Sequence, residues 1–213
     1  SGDLSDDVEN RIEKVMILLF EQEDDRYVYR YMTEGGQLQS TGNSTQFQAR
    51  LLSTSKPVKL MLIGNYGDAF VAYAPSPGRS ETEIKAEMGC SFTGSMQSLP
   101  MYGEITILSG LEADKENHFN VKMLRAVARI DVEKDLMADS RPLRIASVHL
   151  YRPNDKIQLA PDEPFALESP RVTIPSVFAG AAKSQSAVVT GTSETDPVSI
   201  TGIYAPEAAG MVD

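Results

Sequence analysis

The stretch that most constrains the fold is Val121–Val132, with the sequence VKMLRAVARIDV. From Leu124 onward the even-numbered residues are apolar, while the odd-numbered ones include two arginines and an aspartate, with Val127 as the exception. A period of two places successive side chains on opposite faces of a strand. A helical arrangement would give a poorer apolar stripe. We therefore predict one long, half-buried, central strand, whose small alanines allow another layer to pack closely.

The composition is that of a folded, acidic protein. The chain has 213 residues, of which 41% are hydrophobic, enough for one large domain or two small ones with a sizeable core. The formal net charge of -10 argues against a nucleic-acid partner, which requires a basic patch, and against anchoring on an anionic membrane surface. No apolar run approaches the roughly 20 residues of a membrane-spanning helix.

The sequence offers little for catalysis. Cys90 is the single cysteine, so no intrachain disulfide can form, and the two histidines, His118 and His149, lie in no recognisable motif. The chain contains no P-loop, H-E-x-x-H or G-x-S-x-G pattern. The acidic run Glu21–Asp25 lacks the spacing of a calcium loop and predicts a solvated turn. We expect no catalytic residues, no bound metal and no cofactor.

The first part of the chain predicts a β-hairpin. Asp3–Asn10 is polar and indicates a flexible lead-in. In Ile12–Phe20 some apolar residues fall at helical spacing, but the unbroken apolar run Val15–Phe20 favours a fully buried strand. Tyr27–Met32 alternates aromatic residues with others and predicts the partner strand.

The next segments predict loops and further strands. The polar residues of Glu34–Thr45 predict a loop, whereas Phe47–Leu52 and Val58–Ile63 are typical of strands. The sequence LPMYGE, residues Leu99–Glu104, predicts a turn before the apolar run Ile105–Leu108.

One short helix is predicted after residue 79. Ser80 and Glu83 have the S-x-x-E spacing of a capping box, in which each side chain binds the backbone N–H group of the other residue. Ile84 and Met88 are four positions apart and share one helix face. Gly89 is a residue that can end the helix.

The last part of the chain leaves two arrangements open. Leu143–Tyr151 predicts a strand, and the proline-rich stretch from Arg152 onward predicts an extended linker. Ala187–Thr190 and Val198–Tyr204 are two short strand-like runs. They either begin a truncated second domain or complete the first one. The whole pattern predicts an all-β sandwich or a partly open barrel with one short helix.

Several segments together resemble the fimbrillins, the pilin subunits of Bacteroidetes fimbriae. The segment VKMLRAVARIDVEKD is similar to their L-x-R-x-V-A-K/R-I-x-V strand and is the most specific of these segments. The others, in chain order, are VMILLFEQEDDRYVYRY, LPMYGEI, IASVHLYRPNDKIQLAP and IYAPE. The match extends over nearly the whole chain. It departs from the family pattern at the end, where the rest of a second domain and a C-terminal assembly strand are missing.

The resemblance implies a transthyretin-like antiparallel β-sandwich, followed by the start of a second β-domain. Residues 1–163 would form the N-terminal domain, and residues 164–213 the linker and a partial second domain. It also implies export as a lipoprotein precursor and display at the cell surface, in a fimbria associated with the outer membrane. The expected function is that of a structural or tip subunit that supports adhesion and has no enzymatic activity.

The resemblance further implies assembly by strand exchange with other fimbrial subunits. In this family a protease cuts before the first strand, and a donor strand from the next subunit fills the groove that is left. Arg11, just ahead of Ile12, is the arginine best placed for that cut, although it is equally well explained as an ordinary exposed arginine. If the cut lies there, the departing strand comes from the segment before it.

An alternative function is ligand binding at the cell surface. The protein would then be a module that binds a glycan or a host protein and does not polymerise. Tyr27, Tyr29 and Tyr31 are the candidate ligand contacts, since exposed aromatic side chains on one strand would form a platform. Packing against a neighbouring strand explains the same pattern more simply.

Overall fold

The computed structural model describes residues 9–66, 73–91, 98–133, 145–151, 153–161, 188–192 and 199–206. Within these ranges one complete helix, α1 (Glu81–Glu87), accompanies thirteen strands, and residues 9, 10 and 73 are also helical. In chain order the strands are β1 (Val15–Glu23), β2 (Arg26–Glu34), β3 (Gly36–Thr41), β4 (Ser44–Gln48), β5 (Val58–Gly64), β6 (Gly89–Ser91), β7 (Met101–Ile107), β8 (Leu124–Arg125), β9 (Val127–Glu133), β10 (Ser147–Leu150), β11 (Lys156–Gln158), β12 (Val188–Thr192) and β13 (Ser199–Pro206). Across the described residues, the prediction of an all-β fold with one short helix is confirmed.

A five-stranded antiparallel sheet forms the centre of the fold, with the strand order β2-β1-β5-β7-β8. Strand β1 is paired on both sides, and its Leu18 lies between Met32 of β2 and Met61 of β5. The remaining strands form two-stranded ribbons: β3 with β4, β6 with β11, β9 with β13, and β10 with β12.

The central sheet is buried on both faces. Leu18 and Phe20 belong to one apolar cluster, together with residues of α1, while Ile17 and Leu19 belong to a second cluster, together with residues of the β3–β4 hairpin. We call these two sides the helix face and the hairpin face. A strand covered on both sides needs apolar residues at every position, which is why residues 15–20 form an unbroken apolar run. The predicted β1–β2 hairpin is confirmed.

Helix α1 forms as its sequence predicts. The Ser80 hydroxyl accepts a hydrogen bond from the Glu83 amide, and the Glu83 carboxylate accepts one from the Ser80 amide, which completes the capping box. Ile84 and Met88 are fully buried on the helix face. The helix ends because Met88 adopts an extended conformation, so Gly89 opens β6 and does not itself end the helix.

A half-buried network of charges fastens α1 to the sheet. Glu81 accepts hydrogen bonds from Lys59 at 2.6 and 2.7 Å and lies 2.8 Å from Lys85, which also lies 2.7 Å from Glu104. The Tyr102 hydroxyl donates to Glu104 at 2.6 Å. Burial alone would raise the pKa of Glu81, but the hydrogen bonds from the two lysines outweigh it and the pKa is lowered. The ionised network therefore belongs to the folded state.

We expect Glu81→Gln to lower the free energy of unfolding by about 1–3 kcal/mol at neutral pH, because an uncharged amide cannot pair with two ammonium groups. The folded-state pKa of Glu81 lies below its ordinary 4.5. Its contribution is therefore complete above pH 4.5 and is lost as the pH falls through the folded-state pKa. Urea unfolding of both proteins across this range measures the effect. Glu116→Gln, at an 87% exposed side chain, is the control. If the stability difference between the wild type and Glu81→Gln persisted unchanged in acid, the ionised carboxylate of Glu81 would not be its cause.

The predicted single strand across Val121–Val132 is wrong. Two strands occupy the stretch: β8 pairs with β7 at the edge of the central sheet, and β9 pairs with β13. They separate at Ala126, whose amide donates to the Pro100 carbonyl at 2.8 Å. Met123 contacts the hairpin face, whereas Val127 contacts the helix face. The chain thus crosses from one side of the sheet to the other, and Val127 breaks the alternation because it is buried there.

One predicted loop and one predicted turn are also wrong. Glu34–Thr45 contains β3 and the start of β4, a hairpin whose polar residues are exposed, and the second strand stops at Gln48 instead of reaching Leu52. LPMYGE belongs mostly to β7. Its glycine, Gly103, does not make a turn: a Cβ atom there would lie 2.7 Å from the Lys122 carbonyl oxygen, so glycine allows the segment before β8 to pass closely.

The end of the chain is partly described. Strands β10, β12 and β13 confirm the three predicted strands in outline. Residues 153–161 were predicted as part of the linker but include β11, and Ile157 is buried on the helix face. Residues 134–144 and 162–187 lie outside the described residues. Pairing of β13 with β9 joins the two predicted units, and a boundary at residue 163 stays a prediction.

We expect Gly110→Ala to lower the free energy of unfolding by about 3 kcal/mol, because two costs combine. Gly110 has φ of +74°, and a Cβ atom would lie 2.2 Å from the Thr54 carbonyl oxygen. Gly42→Ala is the matched control: its φ is +56° but nothing lies within 4 Å of the added carbon, so about 1 kcal/mol is expected. Denaturant unfolding compares the two, and equal losses would show that the close contact relaxes.

Candidate functional site at the amino-terminal segment

The segment before β1, residues 9–14, is tied to the rest of the fold at several points. We call it the lead segment. Its Ile12 is 9% exposed and packs in the cluster of the hairpin face. The Asn10 side chain donates to the Asn43 side chain at 2.9 Å. The expectation of a flexible lead-in is therefore wrong for Glu9 and Asn10, and residues 3–8 lie outside the described residues.

The Glu9 carboxylate is the strongest of these ties. It is 3% exposed, although it is an acid at the start of the described chain. One oxygen accepts from the Arg125 guanidinium at 2.8 Å, and the other accepts from Arg129 at 2.6 Å and from the Tyr204 hydroxyl. We call these four residues the Glu9 cluster. A buried carboxylate is stable only when its charge is paired and its oxygens are hydrogen-bonded, and this cluster provides both.

Three separate strands supply the donors of the Glu9 cluster. Arg125 belongs to β8, Arg129 to β9 and Tyr204 to β13. Arg129 and Tyr204 are direct cross-strand partners, and Arg125 is paired with Met101 of β7. Strand pairing therefore fixes the backbone beneath all three donors. The carboxylate connects the central sheet to the β9–β13 ribbon.

Asp131 stabilises the β9–β13 ribbon beside the cluster. Its carboxylate accepts from the Gly202 amide at 2.8 Å and from the Arg129 Nε–H group at 2.9 Å, and these two hydrogen bonds lower the pKa of Asp131. Gly202 has φ of +72° and lies where the strand register shifts between Ile200 and Ile203. The hydrogen bonds to Asp131 and Glu9 also raise the pKa of Arg129. Arg129 is thus held as a cation facing both carboxylates.

Asn65 clamps the middle of the lead segment. Its side-chain amide donates to the carbonyl oxygens of Arg11 and Leu99, at 2.9 and 2.8 Å, and its side-chain oxygen accepts from the Glu13 amide at 2.9 Å. The backbone amide of Asn65 donates to the Lys14 carbonyl at 2.8 Å. Asn65 has φ of +62°, a left-handed conformation that asparagine tolerates better than most residues.

Arg11, the predicted processing site, combines an accessible side chain with a fixed main chain. Its side chain is 60% exposed, and its Nε atom lies 3.8 Å from Glu13, a surface pair that contributes little. Its carbonyl group, by contrast, is held by Asn65, and the following residue is buried. A protease can recognise such a side chain but must displace the local backbone to cut. Processing at Arg11 stays a prediction.

The three tyrosines do not form one exposed platform. Tyr29 is 3% exposed and packs edge-on against Phe20 on the helix face, at a ring distance of 5.7 Å. Tyr27 is half-buried on the same face, beneath the Lys59 ammonium. A β-bulge shifts the register between Leu19 and Phe20, so Tyr31 packs on the hairpin face. The expected exposure is wrong for Tyr29, and ligand contact by the other two stays a prediction.

The other residues considered for chemistry are dispersed. His118 is on an exposed loop beside Glu116, and His149 is exposed on β10, where it contacts Ser147. Cys90 is a half-buried free thiol whose pKa is raised by burial. Within the part of the chain that the structure describes, no three His, Cys, Asp or Glu side chains are grouped as metal ligands, and no helix has the length and apolar character to cross a membrane.

Sequence reasoning missed both Glu9 and Asn65. Glu9 is one of 30 acidic residues, and it lies in a stretch that is mostly polar. Arg125 and Arg129 were recognised on a predicted strand, but alternation alone gave them no partner. At Asn65 the sequence GNYG, residues 64–67, is typical of a turn, and a turn by itself does not indicate hydrogen bonds to the lead segment.

Comparison with known proteins identifies solved structures that have a similar fold. No family model matches the sequence, and no curated protein matches it. Among solved structures, the tip fimbrial protein Mfa3 from Porphyromonas gingivalis, with a C-terminal truncation, has a TM-score of 0.58 at 16% identity, over 99% of this chain and 68% of that one. A fimbrial assembly protein from Parabacteroides distasonis has a TM-score of 0.52 at 14% identity, over 98% of this chain and 74% of that one. This chain therefore shares the fold of two fimbrial proteins.

Proposed function

We propose that this protein is a structural or tip subunit of a cell-surface fimbria, without enzymatic activity. The observation that carries the proposal is the likeness of fold to a tip fimbrial protein and to a fimbrial assembly protein over nearly the whole chain. The sequence resemblance to fimbrillins supports the same conclusion. Under this proposal the protein is exported as a lipoprotein, is displayed at the outer membrane, has other fimbrial subunits as partners and supports adhesion.

Strand exchange after a cut at Arg11 is the proposed mode of assembly. Strand β1 is paired on both sides, with β2 and β5, so it would stay in the sheet when the chain is cut before it. The residues before the cut, including Glu9 and Asn10, would leave. A strand from the next subunit would then bind by β-augmentation. Each apolar side chain that it buries contributes roughly 1.5–3 kcal/mol, so several give a durable non-covalent joint.

Treatment of the full-length protein with an arginine-specific protease tests this proposal. We expect a product that begins at Ile12 and forms detergent-resistant ladders on gel electrophoresis. Arg11→Lys should abolish both, whereas Arg26→Lys, at an exposed arginine beginning β2, should leave both unchanged. Persistent monomer after complete cleavage at Arg11 would contradict assembly by strand exchange.

The alternative, a glycan-binding or host-protein-binding module that does not polymerise, has less support. It was motivated by an exposed row of tyrosines, and Tyr29 is part of the core. Monomeric cleaved protein that binds a glycan array through Tyr27 or Tyr31 would favour it over the fimbrial subunit.

A further inference from the structure

We propose that Arg125, Arg129 and Tyr204 form a carboxylate-binding site that exchanges its occupant during assembly. In the uncut chain the occupant is Glu9. After the lead segment has been cut at Arg11, the site takes an acidic side chain from an extended strand of an incoming subunit. This inference rests on the proposed function for its second step, whereas the site itself is defined by the contacts of the uncut protein.

The donors are organised without help from the lead segment. Cross-strand pairing holds Arg129 against Tyr204, and pairing of β8 with β7 holds Arg125. The Asp131 carboxylate further orients Arg129, through hydrogen bonds of 2.9 and 3.0 Å to its Nε–H group. Because these supports lie within the strands, departure of Glu9 leaves the donor backbones in place. A pre-organised site loses little conformational entropy when a new ligand binds.

The geometry selects a carboxylate over other acceptors. The two oxygens of Glu9 are bonded to different groups, one to Arg125 and the other to Arg129 and Tyr204. An amide would direct its NH₂ group at a guanidinium, and a hydroxyl has one oxygen for three donors. Only a group with two anionic oxygens satisfies both arginines at once. The expected ligand is therefore a glutamate or aspartate side chain on the incoming strand.

Occupancy by Glu9 also makes binding conditional on cleavage. The Glu9 side chain is 4% exposed, so the incoming acid cannot reach the same donors while the lead segment is in place. The side chains of Arg125 and Arg129 are 43% and 24% exposed, which leaves a route from solvent to the site. Cleavage removes the resident carboxylate, while Arg129 keeps its hydrogen bonds to Asp131. Two guanidinium groups then face the vacated position, and they favour an anionic replacement.

A chemical-rescue experiment on the full chain tests the site. We expect Glu9→Ala to unfold at a temperature about 2 °C or more higher in sodium acetate than in sodium chloride of equal ionic strength, because acetate fills the vacated position. Adding Arg129→Gln to Glu9→Ala should abolish the difference. Glu13→Ala, at an exposed acid of the same segment, should show none. Equal unfolding temperatures of Glu9→Ala in the two salts would overturn the proposed site.

A peptide-binding experiment on the native sequence tests the exchange and avoids any loss of folding. The protein is cut at Arg11 and freed of the released peptide, and a fluorescent peptide of residues 1–11 is added back. We expect the same peptide with Glu9→Gln to bind about tenfold more weakly or worse. Binding is measured on the monomeric fraction of the cut protein, and equal affinity, or no binding of either peptide, would overturn the exchange. Selective binding by cut protein that stays monomeric would instead contradict strand-exchange assembly and leave the site intact.

Discussion

Replacing Glu9 with alanine should lower the free energy of unfolding by about 3 kcal/mol. The carboxylate is 3% exposed and is hydrogen-bonded to two guanidinium groups and a hydroxyl, so its removal leaves Arg125, Arg129 and Tyr204 without this partner. This value is at the lower end of the range for the loss of one partner of a buried ion pair, because both arginines keep partial access to solvent. Denaturant unfolding measures the loss of free energy, and the slope of that free energy against denaturant concentration is compared between the variants.

The control for this prediction is Glu13→Ala. Glu13 lies in the same segment, but its side chain is 59% exposed and its ion pair with Arg11 spans 3.8 Å, so a change within about 0.5 kcal/mol is expected. A double-mutant cycle of Glu9→Ala with Arg129→Ala isolates the pair. A coupling energy near zero would mean that the cluster is not held by charge pairing.

Asn65→Asp should make the Arg11–Ile12 bond roughly 30-fold more sensitive to an arginine-specific protease. The substituted aspartate keeps an oxygen that accepts from Glu13 but cannot donate to the carbonyl oxygens of Arg11 and Leu99, and it brings a negative charge close to both. We expect this to reduce the free energy of local opening by about 2 kcal/mol. When opening is fast relative to cleavage, the cleavage rate follows the open population.

Asn43→Asp is the matched control, since Asn43 also contacts the lead segment, and its oxygen, which accepts from Asn10, is retained. An unchanged rate at Arg11 in Asn65→Asp, with unchanged overall stability, would show that the clamp does not govern access to the bond.

Local sequence was sufficient to predict the structure of segments in which residues close in the chain interact with each other. The capping box of α1 joins residues three positions apart, and both of its hydrogen bonds are present. The apolar run Val15–Phe20 predicted a strand covered on both faces, because a half-buried strand or an amphipathic helix would include polar positions. The same local logic failed at Leu99–Glu104, where a glycine that permits close packing was interpreted as a turn.

The failure in Val121–Val132 has a different cause. Alternation specifies an extended backbone and the two sides of a strand, but it does not specify which neighbour the strand pairs with. Arg125 pairs with a residue of β7, and Arg129 pairs with a residue of β13, so one extended stretch is divided between two sheets. The division is visible in the sequence only as Val127, the apolar residue at a position where a charge was expected.

The sequence by itself determined the fold class, the β1–β2 hairpin and the short helix, because propensity, capping and periodicity act between residues close in the chain. The tertiary structure alone decided that Glu9 is buried, that three strands converge on it and that Asn65 holds the lead segment. The Glu9 contacts join residues 116, 120 and 195 positions apart. No local pattern encodes such pairs, since only the closure of the fold brings their charges together and removes the water that would otherwise screen them.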